Sequence, residues 1–269
     1  MYDFEGETGH GGDGTMPSRS LLLLELPRWI GEYAASSTLD RVRPRRGIGS
    51  GRPVLVLPGF SATDGMTGRL RSHLDHRGFA AHGWGQGRNI GLTDTLIDGL
   101  HARFEDLRTR YDQPVSVVGW SFGGVLARHL AHTYPDDVRQ IICLGSPWRP
   151  DGERTRATAM FEKSREKHGI SDRARPIVEQ LRQPVPVPTT AVWSKSDGVV
   201  PWRGCMVDAS SDPIAENIEV VSSHVGMVAS PLTLMATVDR LSQDPNGWQA
   251  FSWRTCASGQ GAPRTEVSA

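Results

Sequence analysis

The sequence has no excess of charge of either sign. Its 269 residues carry 30 basic and 30 acidic side chains, so the formal net charge is zero. A neutral protein has no overall field that attracts a polyanion, and only a local basic patch would bind nucleic acid. Four arginines between positions 41 and 46 form one such run, which we interpret as a solvated connector. The sequence therefore predicts no nucleic-acid partner.

Cysteine is also scarce. The three cysteines, Cys143, Cys205 and Cys256, cannot all pair with one another and are too few for a disulfide scaffold. Free cysteines are typical of a reducing compartment, so we expect a cytoplasmic protein.

Long hydrophobic runs are missing. The leucines at 21–24 and Leu26 are separated by Glu25, and Pro27 follows directly. This stretch is too short for the core of a signal peptide or for a membrane span, and no positively charged region precedes it. We therefore expect neither secretion nor a transmembrane segment.

After a disordered start, 1–17, the sequence predicts an amphipathic N-terminal segment over 18–48. Five apolar residues of this segment share one helical face: Leu22, Leu26, Trp29, Ile30 and Tyr33. We expect this face to dock on the surface of the protein's own domain. A weak contact with a membrane surface is the alternative, although the basic polar face of membrane-surface helices is missing between 20 and 40.

The rest of the chain has the pattern of an α/β domain. Hydrophobic residues make up 38% of the sequence and charged residues 22%, as in globular proteins. From residue 53 onward, short apolar runs alternate with helical periods, which is typical of a parallel sheet covered by helices on both faces. The predicted strands are 53–57, 79–84, 115–119, 140–144, 189–193 and 217–221. We predict a mostly parallel central sheet flanked by helices over 49–256, followed by a disordered tail, 257–269.

Four helices are predicted between these strands and after the last of them. The first has the stripe Met66, Leu70 and Leu74, and the second follows a possible cap at Thr93. The others cover 122–134 and a stretch that starts at Ser230 and Pro231.

Residues 149–188 interrupt the alternation. They contain two polar helical stretches, 154–168 and 171–181, and Pro176 inside the second marks a possible first turn. We interpret this segment as an insertion on the sheet.

A nucleophile motif lies at the end of the third predicted strand. Gly119-Trp120-Ser121-Phe122-Gly123 matches Gly-x-Ser-x-Gly and has a strand before it and a helix after it. A serine at such a turn is held in strained backbone angles with its hydroxyl exposed, and the glycines avoid collisions with neighbouring backbone. The context predicts that Ser121 is a nucleophile.

A serine nucleophile needs a base and an orienting acid. Asp197 and His224 both follow predicted strands, at the sheet edge where open α/β sheets bind ligands. The chain order Ser121, Asp197, His224 is the order of the triad in this architecture. Asp151, after the preceding strand, is the rival acid.

Two other patterns predict no metal and no cofactor. His129 and His132 are three residues apart, but no third ligand accompanies them, so we interpret them as surface histidines. The glycines at 83, 85 and 87 fail the dinucleotide-binding pattern, and no phosphate-binding lysine motif is present.

Four segments together resemble the α/β-hydrolase superfamily, and within it bacterial esterases and lipases: residues 55–60, the Ser121 turn, 194–201 and 222–226. The resemblance covers roughly residues 50–245. It implies an oxyanion hole formed by the N–H groups of Phe60 and Phe122, and it implies that 149–188 is a cap or lid. Many relatives have His-Gly where this chain has Pro58-Gly59.

We therefore expect a serine hydrolase of carboxylic esters whose substrate is a small and lipid-like ester. An acyltransferase or thioesterase would use the same acyl-enzyme, and a non-catalytic ligand-binding domain is the third alternative. The intact triad argues against the last.

Six residues are predicted to bind substrate. Four tryptophans at or beyond strand ends are expected to converge on one cleft: Trp84, Trp120, Trp148 and Trp202. Met160 and Phe161 of the insertion are expected to lie above it.

Overall fold

The computed structural model describes residues 16–42, 47–148, 155–209, 214–244 and 247–258. The strands are β1 (Pro53–Leu57), β2 (Ala80–Gly83), β3 (Val115–Trp120), β4 (Val138–Leu144), β5 (Thr189–Trp193) and β6 (Ala215–Glu219). They form one sheet in the order β2-β1-β3-β4-β5-β6, and every pairing is parallel. The predicted fold class is confirmed. Because the strands are parallel, their carboxyl ends all lie along one edge of the sheet.

The strands are buried on both faces. Leu55 and Leu57 pack in a core on one face, whereas Val54 and Val56 pack in a second core on the other. This alternation explains why β1 reads as a continuous apolar run. Strand β3 lies between β1 and β4: its Gly119 pairs with Leu57 of β1 on one side and with Cys143 of β4 on the other. The Ser121 turn at the end of β3 therefore lies near the centre of the sheet edge.

Helices cover both faces as predicted. They are α3 (Gly68–His76), α4 (Asp94–Tyr111), α5 (Phe122–Thr133) and α8 (Pro231–Ser242). The Thr93 hydroxyl caps α4 by accepting the Leu96 N–H at 3.4 Å. Met66 lies before the start of α3 and is exposed, so its assignment to the buried stripe was wrong.

Two helices lie between β4 and β5, where the insertion was predicted: α6 (Thr158–His168) and α7 (Ala174–Gln180). Pro176 falls in the first turn of α7, where its missing N–H costs no helical hydrogen bond. The buried Arg128 of α5 binds the chain on both sides of these two helices. It donates to the carbonyls of Trp148, before α6, and of Leu181, directly after α7, at 2.6 Å each.

The N-terminal helices α1 (Arg19–Leu23) and α2 (Glu25–Val42) dock in the opposite orientation to the predicted one. The apolar side chains of Leu26 and Ile30 are 61% and 57% exposed. The docked face of α2 is mostly polar: Glu25, Arg28, Glu32, Ser36 and Asp40 bind the domain, and Leu39 packs against its core. These polar groups form hydrogen bonds with the domain. Because buried polar groups need such partners, α2 docks with its polar face inward although its apolar pattern predicted the reverse.

None of the described helices has the length and apolar character that a membrane crossing requires. The predicted tails lie largely outside the described residues, although α9 (Trp253–Ser258) extends two positions into the second of them. None of the three cysteines forms a disulfide bond within the described residues.

Candidate active site

The turn between β3 and α5 has the strained geometry that the sequence predicts. Ser121 has φ 53° and ψ −125°, a conformation that is rare for a residue with a side chain. A Cβ at Gly119 would lie 2.3 Å from the Gly123 oxygen, and one at Gly123 would lie 2.3 Å from the Leu57 oxygen. Both glycines are therefore required for the turn to form.

The structure brings the three residues of the expected triad together. His224 Nε2 lies 3.1 Å from Ser121 Oγ, and His224 Nδ1 lies 2.7 Å from Asp197 Oδ2. The other carboxylate oxygen of Asp197 accepts the N–H groups of Val199 and Val200 at 2.8 Å each. The backbone thus orients Asp197, and Asp197 in turn orients the imidazole.

The surroundings of His224 favour its protonated form. Burial by itself would lower the pKa of the imidazole, but the charge of Asp197 and the hydrogen bond to it act in the opposite direction. With a further contribution from the charge of Glu25, they raise the pKa of His224 above its usual 6.5. A base of this kind accepts the serine proton readily once it is neutral.

The loops that carry Asp197 and His224 are bound by α2. The Glu25 carboxylate accepts the N–H groups of Gly198, His224 and Val225 at 2.8–2.9 Å. Two turns further along, Glu32 accepts both the N–H and the hydroxyl of Ser223 at 2.7 Å. Sequence reasoning missed both residues. The signal for Glu25 was a charged residue that interrupts a leucine run.

Phe60 and Phe122 lie beside the serine. A Cβ at Gly59 would be 3.0 Å from the Ser121 Cβ, so the loop after β1 passes directly over the turn. The Phe122 N–H is at the first position of α5, where a helix leaves its amides without an internal partner. Within the described part of the chain, the Phe60 N–H also has no protein acceptor.

The loop over the serine is supported by Asn89, another residue that sequence reasoning missed. The buried Asn89 side chain donates to the Pro58 carbonyl at 2.9 Å, and its backbone exchanges hydrogen bonds with Ser61 and Ala62. This support holds the loop in place at Pro58 and Gly59.

The four tryptophans do not converge on one cleft. Trp84 is fully buried in the core, where its indole N–H donates to the Gly87 carbonyl, so its prediction as a substrate-binding residue was wrong. Trp120 is also buried and binds the backbone of His224. The ring of Trp148 stacks under Arg128, and that of Trp202 stacks on Trp193. A buried indole needs an acceptor for its N–H, which explains why two of the four face protein groups.

The two predicted residues of the insertion do reach the site. The centroid of the Phe161 ring lies 5.2 Å from the centroid of the Phe60 ring and 5.5 Å from that of the Phe122 ring. Met160 lines a cavity of about 210 Å³ with Phe60 and Ile90. Basic side chains line the same cavity: Arg88, Lys163, Lys167 and His168.

The other candidates lie elsewhere. His129 is buried rather than on the surface; its ring faces His101 and Gln180, and burial lowers its pKa to about 4. Within the described residues, no three potential ligands are grouped as a metal would require. Asp151, the rival acid, lies outside the described residues.

The parallel sheet, the strained serine turn and the order of the three residues define an α/β-hydrolase. A family model described as "Serine aminopeptidase, S33" (Hydrolase_4) matches residues 54–202, which is more than half of the chain. The chain therefore belongs to this hydrolase family.

Two curated proteins are similar in part. Lipase LipV of Mycobacterium tuberculosis is 36% identical over 105 residues, which are 38% of this chain and 40% of the lipase. A pimeloyl-[acyl-carrier protein] methyl ester esterase of Chromobacterium violaceum is 33% identical over 106 residues, 37% of this chain and 39% of the esterase. The chain thus matches about two fifths of the length of these relatives.

Solved structures share the fold at low identity. Lipase B of Aspergillus fumigatus has a TM-score of 0.52 at 18% identity, covering 75% of this chain and 56% of the lipase. A metagenome-derived lipolytic enzyme, from a study of LipS and LipT, has a TM-score of 0.53 at 20% identity, covering 72% and 94%. At these identities the similarity concerns the fold alone.

Proposed function

We propose that this protein is a serine hydrolase of carboxylic esters. The observation that carries the proposal is the hydrogen-bonded chain from Ser121 through His224 to Asp197, in which each partner is within 3.1 Å of the next. The partial similarity to a lipase and to a methyl ester esterase supports the ester as the bond that is cleaved.

The reaction begins at the serine hydroxyl. His224 takes the proton from Ser121 as the oxygen attacks the acyl carbon, and Asp197 stabilises the imidazolium that forms. The negative charge that develops on the carbonyl oxygen is bound by the N–H groups of Phe60 and Phe122. His224 then donates its proton to the leaving alcohol, which leaves an acyl-enzyme. Attack by water in the reverse sense releases the acid.

The surroundings of Ser121 favour an apolar acyl group. Phe60, Phe122 and Phe161 form a cluster of aromatic rings beside the expected oxyanion hole, and Met160 continues it into the neighbouring cavity. In this proposal α6 and α7 act as a cap over a small, lipid-like ester. The exposed apolar face of α2 supports a weak contact with a membrane surface. The three cysteines, which form no disulfide bond within the described residues, are typical of a reducing compartment and support a cytoplasmic location.

A fluorophosphonate probe tests the nucleophile. We expect labelling of the wild-type protein at Ser121, identified by mass spectrometry of the modified peptide. Ser121→Ala removes the nucleophile, so kcat for p-nitrophenyl esters should fall by roughly 10³ to 10⁶. Alanine requires the same backbone angles as serine at this position, so the unfolding midpoint should stay unchanged. Wild-type turnover in the alanine variant would refute the proposal.

A further inference from the structure

We propose that Glu25 is a positioning residue of the active site, which from α2 holds the Asp197 loop and the His224 loop at their working distance. The inference rests on the proposed function, since it assigns a role toward the same Ser121 site.

Glu25 joins the two loops through a single carboxylate. Its Oε1 atom accepts one N–H from the Asp197 loop, that of Gly198, and one from the other loop, that of His224 itself. Its Oε2 atom accepts the N–H of Val225. The side chain is buried, with only 5% of the residue exposed. Without it, three backbone donors next to the triad would be left without an acceptor, and buried donors are rarely left so.

The neighbouring turns of α2 bind the same loops. Arg28 donates to the carbonyl and the hydroxyl of Ser196, directly before Asp197, at 2.6 and 2.8 Å. Glu32 binds Ser223, directly before His224. A Cβ at Gly198 would lie 2.7 Å from the Leu21 carbonyl, so the N-terminal segment lies directly on the Asp197 loop. Successive turns of one helix therefore hold both ends of the Asp197–His224 hydrogen bond.

The charge of Glu25 acts on the reaction as well. Four charged groups of the described residues lie around His224 and its loop: Asp197 on the loop after β5, and Glu25, Arg28 and Glu32 on α2. Asp197 binds His224 Nδ1, whereas the neutral Ser121 hydroxyl faces Nε2. A negative charge bound to the backbone of His224 stabilises the imidazolium that forms as Ser121 loses its proton. The same charge contributes to the raised pKa of His224.

Asp40 provides a matched control on the same helix. It is a carboxylate of α2 that pairs with Arg69 at 2.7 Å and with His73, both on α3 and away from the triad. Asp40→Asn and Glu25→Gln each remove one negative charge and weaken the docking of α2. Only Glu25→Gln changes contacts to the triad loops. The two variants therefore separate positioning of the triad from general loss of helix docking.

The experiment measures kcat, KM, the pH profile of kcat/KM and the unfolding midpoint for the wild type, Glu25→Gln and Asp40→Asn with a p-nitrophenyl ester. We expect Glu25→Gln to lower kcat by roughly 10²-fold with KM nearly unchanged, because a small misplacement of catalytic groups has this effect. The acid limb of the kcat/KM profile of Glu25→Gln should move to lower pH, because the lost charge no longer raises the pKa of His224. Asp40→Asn should lower the unfolding midpoint while kcat and the acid limb stay as in the wild type.

Four outcomes would overturn the inference. Equal kcat losses in the two variants, or an acid limb of Glu25→Gln that does not move, would leave Glu25 with a structural role only. A wild-type protein that neither reacts with the fluorophosphonate at Ser121 nor cleaves the ester would reject the proposed function, and the inference with it. If Glu25→Gln fails to fold, Glu25→Asp keeps the charge on a shorter side chain, and a wild-type kcat in that variant would equally refute precise positioning.

Discussion

The indole N–H of Trp120 donates to the backbone carbonyl of His224 at 3.0 Å, and the centroids of the two side-chain rings lie 5.8 Å apart. Trp120, the residue before the nucleophile, thus binds the backbone of His224, the expected base. The sequence predicted Trp120 as a substrate-binding residue, but its ring is buried in the core and its N–H is bound to the backbone of His224.

This contact predicts the effect of Trp120→Phe. Phenylalanine keeps an aromatic ring in the core but has no N–H donor, so the His224 carbonyl loses its partner. We expect kcat to fall by about 10-fold with little change in KM, since an interaction worth about 1 kcal/mol or slightly more is removed. Trp202→Phe is the control, because that ring stacks on Trp193 away from His224. Equal losses in both variants would contradict this role of Trp120.

The two candidate acids are separated by asparagine variants. Asp197→Asn should lower kcat by roughly 10⁴, because the amide no longer holds the imidazole in the required tautomer. Asp151→Asn should leave kcat near the wild-type value. Steady-state kinetics on both variants check this, and the reverse ranking would move the acid to the segment after β4.

The pH dependence follows from the environment of His224. The base must be neutral to accept the serine proton, and its pKa is raised above 6.5 by Asp197 despite burial. We therefore expect kcat/KM to fall as the pH drops through a limb centred above 6.5, measured with an ester whose own ionisation is constant in that range. A limb below 6.5 would mean that burial outweighs the charge of Asp197.

The oxyanion hole can be tested through the main chain. Phe60→Ala keeps the N–H donor and should retain most of the turnover, although it loses ring contacts with Phe122 and Phe161. Phe60→Pro removes the donor and should lower kcat by roughly 10² to 10³ or more. Turnover numbers for the pair are the measurement. Similar losses would assign the effect to the side chain.

Chain-length preference tests the role of the insertion. Each additional buried methylene of an acyl group contributes about 0.8 kcal/mol, roughly fourfold in kcat/KM, until the pocket is full. We expect kcat/KM for p-nitrophenyl esters to rise from acetate to octanoate, and Phe161→Ala combined with Met160→Ala to flatten the rise. Ile170→Ala, an exposed position of the same insertion, should leave it unchanged. A wild-type preference for acetate would rule out the apolar pocket.

The sequence by itself determined the sheet and the nucleophile turn. Burial on both faces makes a strand apolar along its length, and the collisions at Gly119 and Gly123 involve backbone a few residues away or on the adjoining strand. The chain order of Ser121, Asp197 and His224 placed all three at one edge, because parallel strands end on the same side. These features depend on local sterics and periodicity, which a sequence carries directly.

Only the tertiary structure decided how α2 docks and what surrounds the triad. The partners of Glu25 lie 173–200 positions away along the chain, so no local pattern connects them. Periodicity identified an apolar face on α2, but the unsatisfied N–H groups of two distant loops outweighed it and turned the polar face inward. Trp84 has a partner much nearer in the chain: its buried indole N–H donates to the carbonyl of Gly87, three residues further along, once the loop has folded. Hydrogen-bond partners that exist only after folding thus determined the orientation of these side chains.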